Sequence, residues 1–144
     1  MAAALLDASL VLLLGLVTVS DLRTRLIPDG PLAAGLGLAL GVCALAIPDQ
    51  LPERLAAGAC AAGFLLAAAL IRPDGMGFGD VKLAGVIGVY LGAAVVVAML
   101  VAFASGSVIG LGVIARRGWA ARGRTIPFAP YLALGALVAM ALRI

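Results

Sequence analysis

The sequence contains no histidine and only two cysteines among its 144 residues. Cys43 and Cys60 each stand alone within an apolar run, so neither a zinc-ligand pattern nor a disulfide framework can be built from them. Charged residues are also scarce, at 12% of the chain, and no linker, low-complexity tract or long charge run indicates a separate soluble module. We therefore expect a single domain over residues 1–144, without a metal or cofactor.

Apolar residues are what the sequence has in excess. They make up 65% of the chain, and the mean hydropathy is +1.23, whereas a soluble domain is about half apolar and about a quarter charged. One small core cannot hide this surplus, so the lipid bilayer is the expected surrounding of the protein. The net charge of +3 is small and lies in loops, which argues against a nucleic-acid partner.

Apolar segments of about 20 residues, the length that crosses a bilayer, recur along the chain. Four of them predict one transmembrane helix each: 3–22, 31–47, 55–71 and 127–143. Residues 81–114 as a single helix would extend about 50 Å, too long for a ~30 Å hydrocarbon core. They therefore predict two spans with a tight turn within 88–94. The expected fold is an all-α bundle of about six transmembrane helices.

The basic residues predict the orientation of this bundle. With six spans, eight basic residues fall on one side and two on the other, Arg54 and Arg143. The eight are Arg23, Arg25, Arg72, Lys82, Arg116, Arg117, Arg122 and Arg124. This bias predicts that the first side is cytoplasmic and that the N-terminus faces outward. Because no basic residue precedes Arg23, we expect a retained first span rather than a signal peptide, in a multi-pass protein of the inner (plasma) membrane.

Two of the seven acidic residues lie where a charge is costly. Asp21 ends the first apolar segment and Asp80 opens the fourth, so the predicted topology brings both carboxylates to one depth at the cytoplasmic face. Ionisable groups at such a depth are more often functional than decorative. Each also has a structural alternative: Asp80 as a helix N-cap, and Asp21 as the ion-pair partner of Arg23 or Arg25.

A pair of carboxylates that flank one water molecule can hydrolyse a peptide bond. Like charges at close range resist double ionisation, so one carboxyl keeps a proton while the other is a base. The base takes a proton from water, and the acid protonates the scissile carbonyl or the leaving amine. Gly77 and Gly79 precede Asp80. Glycine can adopt backbone angles closed to other residues, and it has no side chain to block an extended substrate.

The segments that carry these residues resemble three motifs of the type IV prepilin peptidases, which are membrane aspartic proteases. The stretch "MGFGDVKL" (76–83) resembles the GxGD motif of that family, and "DLRTRLIPD" (21–29) resembles its first catalytic segment. The stretch "IPFAPYLALG" (126–135) resembles its C-terminal segment, in which glycine is usual where Ala129 stands. A GxGD motif alone is weak evidence for this family, whereas three of its motifs in the same order over residues 21–135 are strong evidence.

The resemblance implies that Asp21 and Asp80 form the catalytic dyad of an aspartic endopeptidase near the cytoplasmic face. It implies a prepilin or pseudopilin substrate, in which a short basic leader ending in glycine precedes a hydrophobic helix in the bilayer. Cleavage follows that glycine. Asp29 and Asp74 are candidates to meet the basic leader, with solvated loop acids as the equal alternative, and Lys82 is a candidate supporting residue.

Longer relatives carry an N-terminal cytoplasmic domain with paired CxxC motifs and also N-methylate the cleaved pilin. The present sequence has no CxxC pair and begins with the first span, so we expect neither a zinc site nor methyltransferase activity. It resembles the short peptidases of Flp/Tad-type pili, which favours a Flp-like substrate. Two other functions stay open: a small proton- or cation-coupled transporter subunit that uses the two acids as ion sites, and a non-catalytic scaffold for secretion assembly.

Overall fold

The computed structural model describes residues 1–73, 76–120 and 126–142, and this part of the chain is helical, without a strand. It contains six α-helices: α1 (Ala2–Thr24), α2 (Asp29–Ala46), α3 (Leu51–Ile71), α4 (Phe78–Leu91), α5 (Val95–Arg117) and α6 (Ala129–Leu142). One turn of 3-10 helix precedes α3 at Pro48–Gln50, and another precedes α5 at Gly92–Ala94. The predicted all-α class is confirmed.

Four apolar helical stretches are long enough to cross a bilayer: Ala2–Thr24, Asp29–Ala46, Pro48–Ile71 and Phe78–Arg117. The last has 40 residues and contains both α4 and α5, while the apolar α6 is shorter, with 14 residues. Large apolar side chains such as Leu12 and Leu45 are exposed on the outside of the bundle, as expected for a surface that faces lipid. These features indicate a multi-pass membrane protein.

The chain reverses direction between α4 and α5. Gly92, which follows α4, has φ 59° and ψ −139°, a conformation that suits glycine because it lacks a Cβ. The side chain of Glu53, near the start of α3, lies beside Gly92. Farther along, Phe64 of α3 contacts Phe103 of α5, with ring centroids 5.9 Å apart. Helices α3 and α5 therefore run in the same direction, and the turn between α4 and α5 falls within the predicted range.

Close backbone contacts hold α3 against α4 and α5 against α6. A Cβ built on Gly88 of α4 would lie 2.6 Å from the Cα of Gly58 in α3. Similarly, a Cβ built on Gly135 of α6 would overlap the carbonyl oxygen of Ala98 in α5. Small residues at such interfaces are typical of helices that associate in lipid. Helix α4 also contacts α1, α2 and α6, so it lies at the centre of the bundle.

Polar contacts connect the helices at both ends of the bundle. At one end, Lys82, the fifth residue of α4, forms an ion pair with Asp29 in the first turn of α2. At the other end, the guanidinium of Arg54, near the start of α3, donates to the carbonyl oxygens of Val89 and Tyr90 at the end of α4. Both ends of α4, whose first turn carries Asp80, are thus connected to neighbouring helices.

Candidate active site

Asp21 and Asp80 are the two charged residues that are buried in the described part of the chain, with 6% and 8% of their surfaces exposed. Asp21 lies in the last turn of α1, and Asp80 lies in the first turn of α4. The two helices are in contact, and the two carboxylates are close enough to interact electrostatically. The structure thus brings together two acids from distant parts of the sequence.

The structure tests the structural alternatives for these two acids. The N-cap of α4 is Gly77, whereas Asp80 lies three residues later, inside the helix. Asp21 makes no ion pair with an arginine of the described residues, where the ion pair found is the one between Lys82 and Asp29. Asp80 is therefore not the N-cap of α4, although it lies in the first turn, where the helix dipole favours an acid. The charge of Arg25 acts on Asp21 without an ion pair between the two side chains.

The start of α6 completes the surroundings of Asp21. The backbone amide of Ala129, the first residue of α6, lies near the Asp21 carboxylate. The N-terminus of a helix carries a partial positive charge that favours such an anion. The Asp21 Oδ2 atom is buried and has no hydrogen-bond partner among the described residues. Sequence reasoning assigned no role to Ala129, although the third motif, residues 126–135, was the signal that pointed to this segment.

The two glycines before Asp80 have different surroundings. Gly77 is exposed, and a Cβ built on it would lie 3.8 Å from Asp80 Oδ2. Gly79 packs against Ile27 in the turn between α1 and α2, where an added Cβ would lie 2.9 Å from the Ile27 Cβ. Neither glycine has a positive φ. The expectation that these glycines adopt unusual backbone angles is wrong. At both positions the missing side chain leaves space, beside Asp80 at Gly77 and beside Ile27 at Gly79.

Asp29 and Lys82, two candidate supporting residues, bind each other. The Lys82 Nζ lies 2.8 Å from the Asp29 Oδ1, and more than half of each side chain is exposed. An exposed ion pair of this kind contributes at most about 1 kcal/mol to stability. Asp29 belongs to the first turn of α2 rather than to a loop. The third candidate, Asp74, lies outside the described residues.

The described residues include no cluster of three or more His, Cys, Asp or Glu side chains that could hold a metal ion. Cys43 is buried in α2, Cys60 is exposed on α3, and both are free thiols. The groups that the described part of the site offers are the carboxylates of Asp21 and Asp80 and the backbone beside them.

Comparison with known proteins identifies the family. Residues 8–115, which include both buried acids, match the type IV leader peptidase family. The chain is also similar to two sequences of a prepilin leader peptidase/N-methyltransferase from Aeromonas salmonicida, one of them from strain A449, with 36% identity over 72 residues. The match covers 49% of this chain and 24% of each relative, so the chain spans about a quarter of their length. No solved structure is significantly similar. The family match extends over more than half of the chain, which therefore belongs to the type IV leader peptidase family.

Proposed function

We propose that this protein is a membrane aspartic endopeptidase that removes the leader peptide of a type IV or Flp-like prepilin at the cytoplasmic face. The observation that carries the proposal is the meeting of Asp21 and Asp80, both buried, where α1 ends and α4 begins. A buried carboxylate without an ion-pair partner is costly, and two such groups side by side are costlier still. Acid–base catalysis by the pair explains why the chain keeps them.

The proposed reaction needs one proton and one water molecule between the carboxyl groups. Because two negative charges at close range disfavour each other, one carboxyl stays protonated while the other is the base, and the titration belongs to the pair. The base removes a proton from water as the water oxygen attacks the scissile carbonyl carbon, whose oxygen is protonated by the acid. When the gem-diol intermediate collapses, one of its hydroxyl groups returns a proton to the dyad as the C=O bond re-forms. The C–N bond breaks, and the leaving amine takes a proton from the dyad, which is left with the one proton it began with.

The proposal includes one membrane domain over residues 1–144, with six spans, the N-terminus outside and the dyad on the cytoplasmic side. Basic residues support this orientation, because three of the helix ends near the dyad carry Arg25, Arg72 and Lys82, whereas Arg54 lies at the opposite end of the bundle. Such a bias is typical of cytoplasmic loops. The six helices alternate in direction in a way that is compatible with six crossings.

The substrate class is supported by the family and by the surroundings of Asp80. The relatives are named for the removal of prepilin leaders, and the resemblance to short Flp/Tad-type peptidases favours a Flp-like pilin. An extended leader segment would reach the dyad past the exposed Gly77, which leaves the side of the Asp80 carboxylate open. The hydrophobic helix of the pilin would then remain in the bilayer beside the bundle.

Co-expression with a Flp-like prepilin tests this function. Leader removal is followed by gel mobility for the wild type, for Ala and Asn variants of Asp21 and Asp80, and for Asp49→Asn. Asp49 is the matched control, because its carboxylate is exposed beyond the end of α2. Each dyad variant should insert into the membrane but cleave at least about 10³-fold more slowly, while the control cleaves like the wild type. Normal processing by both single dyad variants would overturn the proposal.

The two alternative functions give different results in the same experiment. A proton- or cation-coupled transporter would show ion flux that depends on Asp21 and Asp80, and it would not remove a leader. A non-catalytic scaffold would support pilus assembly equally well with either aspartate replaced by asparagine. Cleavage that is lost in the dyad variants and kept in the Asp49 control distinguishes the peptidase from both.

A further inference from the structure

The turn between α1 and α2 lies at the same end of the bundle as the two buried acids. It comprises residues 25–28, since α1 ends at Thr24 and α2 begins at Asp29. Arg25 has φ 54° and ψ 26°, and in the described part of the chain it is the one residue other than glycine with a positive φ. Glycine is usual in this left-handed conformation after a helix. The turn is thus held in a conformation that its first residue does not favour on its own.

A hydroxyl group of α1 holds the middle of this turn. The Ser20 Oγ donates to the carbonyl oxygen of Leu26, 3.0 Å away and six residues farther along the chain. Serine in a helix commonly donates back to its own helix, as Ser105 of α5 does to the carbonyl oxygen of Val101. Ser20 instead donates to a residue beyond the end of α1. Because Ser20 directly precedes Asp21, this bond ties the turn to the segment that carries the first acid.

The next residue of the turn packs against the helix that carries the second acid. Ile27 is partly buried and lies on Gly79, where an added Cβ would be 2.9 Å from the Ile27 Cβ. Pro28 follows Ile27, and a residue before proline is restricted to extended conformations, which limits the directions available to the isoleucine side chain. Gly79 directly precedes Asp80 in the first turn of α4. The contact therefore ties the turn to the segment that carries Asp80.

The turn thus contacts the chain neighbours of both acids. Helix α1 packs mainly on α2 and α6 and makes fewer direct contacts with α4. Just after the turn, the ion pair between Asp29 and Lys82 adds a link from α2 to α4, although an exposed pair of this kind contributes little. The turn therefore supplements the limited packing of α1 on α4 with a hydrogen bond and a packing contact.

We propose that Ser20 and Ile27 are positioning residues of the peptidase, which set the distance between the Asp21 and Asp80 carboxyl groups through the turn of residues 25–28. The inference rests on the proposed function, because this distance matters for cleavage only if the two acids share one water molecule. Displacement of a catalytic group by about 1 Å can slow a reaction on the order of 100-fold. A small movement of the turn is therefore enough to be measured while the bundle stays folded.

Ser20→Ala tests the hydrogen bond. Loss of a neutral hydrogen bond that holds a catalytic group in place should lower kcat for prepilin cleavage about 3- to 10-fold. KM should not change, because Ser20 acts on Asp21 rather than on the substrate. Ser20→Thr, which keeps the hydroxyl group, should restore the rate. A raised KM in Ser20→Ala would indicate a substrate contact and would contradict the positioning role.

Ser105→Ala is the matched control, since its hydroxyl group also donates to a backbone carbonyl oxygen, in a helix that carries neither acid. Alanine is a better helix former than serine, so Ser20→Ala and Ser105→Ala should both unfold close to the wild-type temperature. Ser105→Ala should keep the wild-type kcat. An equal loss of kcat in both variants, or no rescue by Ser20→Thr, would overturn the role of the hydrogen bond.

Ile27→Ala tests the packing contact. It should lower kcat about tenfold without raising KM, and Ile27→Val, which keeps the branched Cβ beside Gly79, should restore most of the rate. The matched control is Ile47→Ala, because Ile47 is also partly buried, also precedes a proline between two helices, and lies at the opposite end of α2. Both alanine variants should lower the unfolding temperature, but Ile47→Ala should cleave at the wild-type rate. Equal losses of kcat would leave Ile27 a structural role alone and refute the proposal.

The double variant Ser20→Ala/Ile27→Ala shows whether the two contacts act through one turn. Contacts that hold the same segment are coupled, so the double variant should lose little more kcat than Ile27→Ala alone. If the two losses multiply, the contacts act independently and the shared role of the turn is refuted.

The Asp21→Asn variant separates this inference from the proposed function. If it abolishes cleavage while Ser20→Ala and Ile27→Ala cleave normally, the dyad stands and the positioning role is refuted. If Asp21→Asn itself cleaves normally, the proposed function fails, and the positioning role fails with it.

Discussion

Replacement of Gly79 by alanine tests whether this glycine serves the fold or the substrate. A Cβ at position 79 would lie 2.9 Å from the Cβ of Ile27 and 3.1 Å from its Cδ1, whereas carbon atoms pack best at about 3.5–4.0 Å. Overpacking of this kind costs about 1–3 kcal/mol, and the better helix propensity of alanine offsets up to about 1 kcal/mol. The free energy of unfolding should therefore fall by about 1 kcal/mol.

A double variant identifies the neighbour that is responsible. Ile27→Ala removes the Cγ1 and Cδ1 atoms and leaves the Cβ, so part of the crowding disappears. Gly79→Ala should then cost less in the Ile27→Ala background than in the wild type, with a coupling of about 0.5 kcal/mol. Gly63→Ala is the matched control because a Cβ at this exposed position of α3 meets no atom within 4 Å. It should leave the stability unchanged or raise it.

Thermal unfolding in detergent micelles and single-turnover cleavage of a prepilin, measured on the same samples, give the answer. Equal destabilisation by Gly79→Ala with and without Ile27→Ala would refute the packing explanation. From the sequence, we expected a larger side chain at 79, such as valine, to crowd the substrate. If that expectation is right, cleavage slows while the unfolding temperature stays constant. The structure instead predicts a lower unfolding temperature, because a side chain at position 79 would meet Ile27.

Two further predictions concern Gly77, which lies beside Asp80, and Gly135, where α6 packs against α5. Gly77→Val should slow prepilin cleavage at least about tenfold, because its side chain would stand beside Asp80 Oδ2. Since Gly77 is the N-cap of α4, where valine is unfavourable, the free energy of unfolding should also fall by about 1 kcal/mol. Unchanged cleavage would show that the substrate does not pass this position. Gly135→Ala should lower the free energy of unfolding by about 3 kcal/mol, because its Cβ would overlap the carbonyl oxygen of Ala98. Thermal unfolding measures this loss, and wild-type stability would contradict the close packing of α5 and α6.

The sequence by itself determined the features that depend on local composition. Segment length and hydropathy predicted the apolar surroundings, the all-α class and the reversal near Gly92, because each depends on one short stretch of chain. Asp21 and Asp80 could be singled out for the same reason, since a charge beside a long apolar run is conspicuous. The three motifs then predicted the family that the comparisons confirmed.

The tertiary structure alone decided which of these segments touch. It placed Ile27 against Gly79, paired Lys82 with Asp29, and brought the Ala129 amide near Asp21. A helix in lipid is apolar on all sides, so its sequence pattern does not show which face is turned inward, as an amphipathic helix in water would. The inward faces are set by where small residues let two backbones approach, and that is a property of pairs of helices rather than of any single segment.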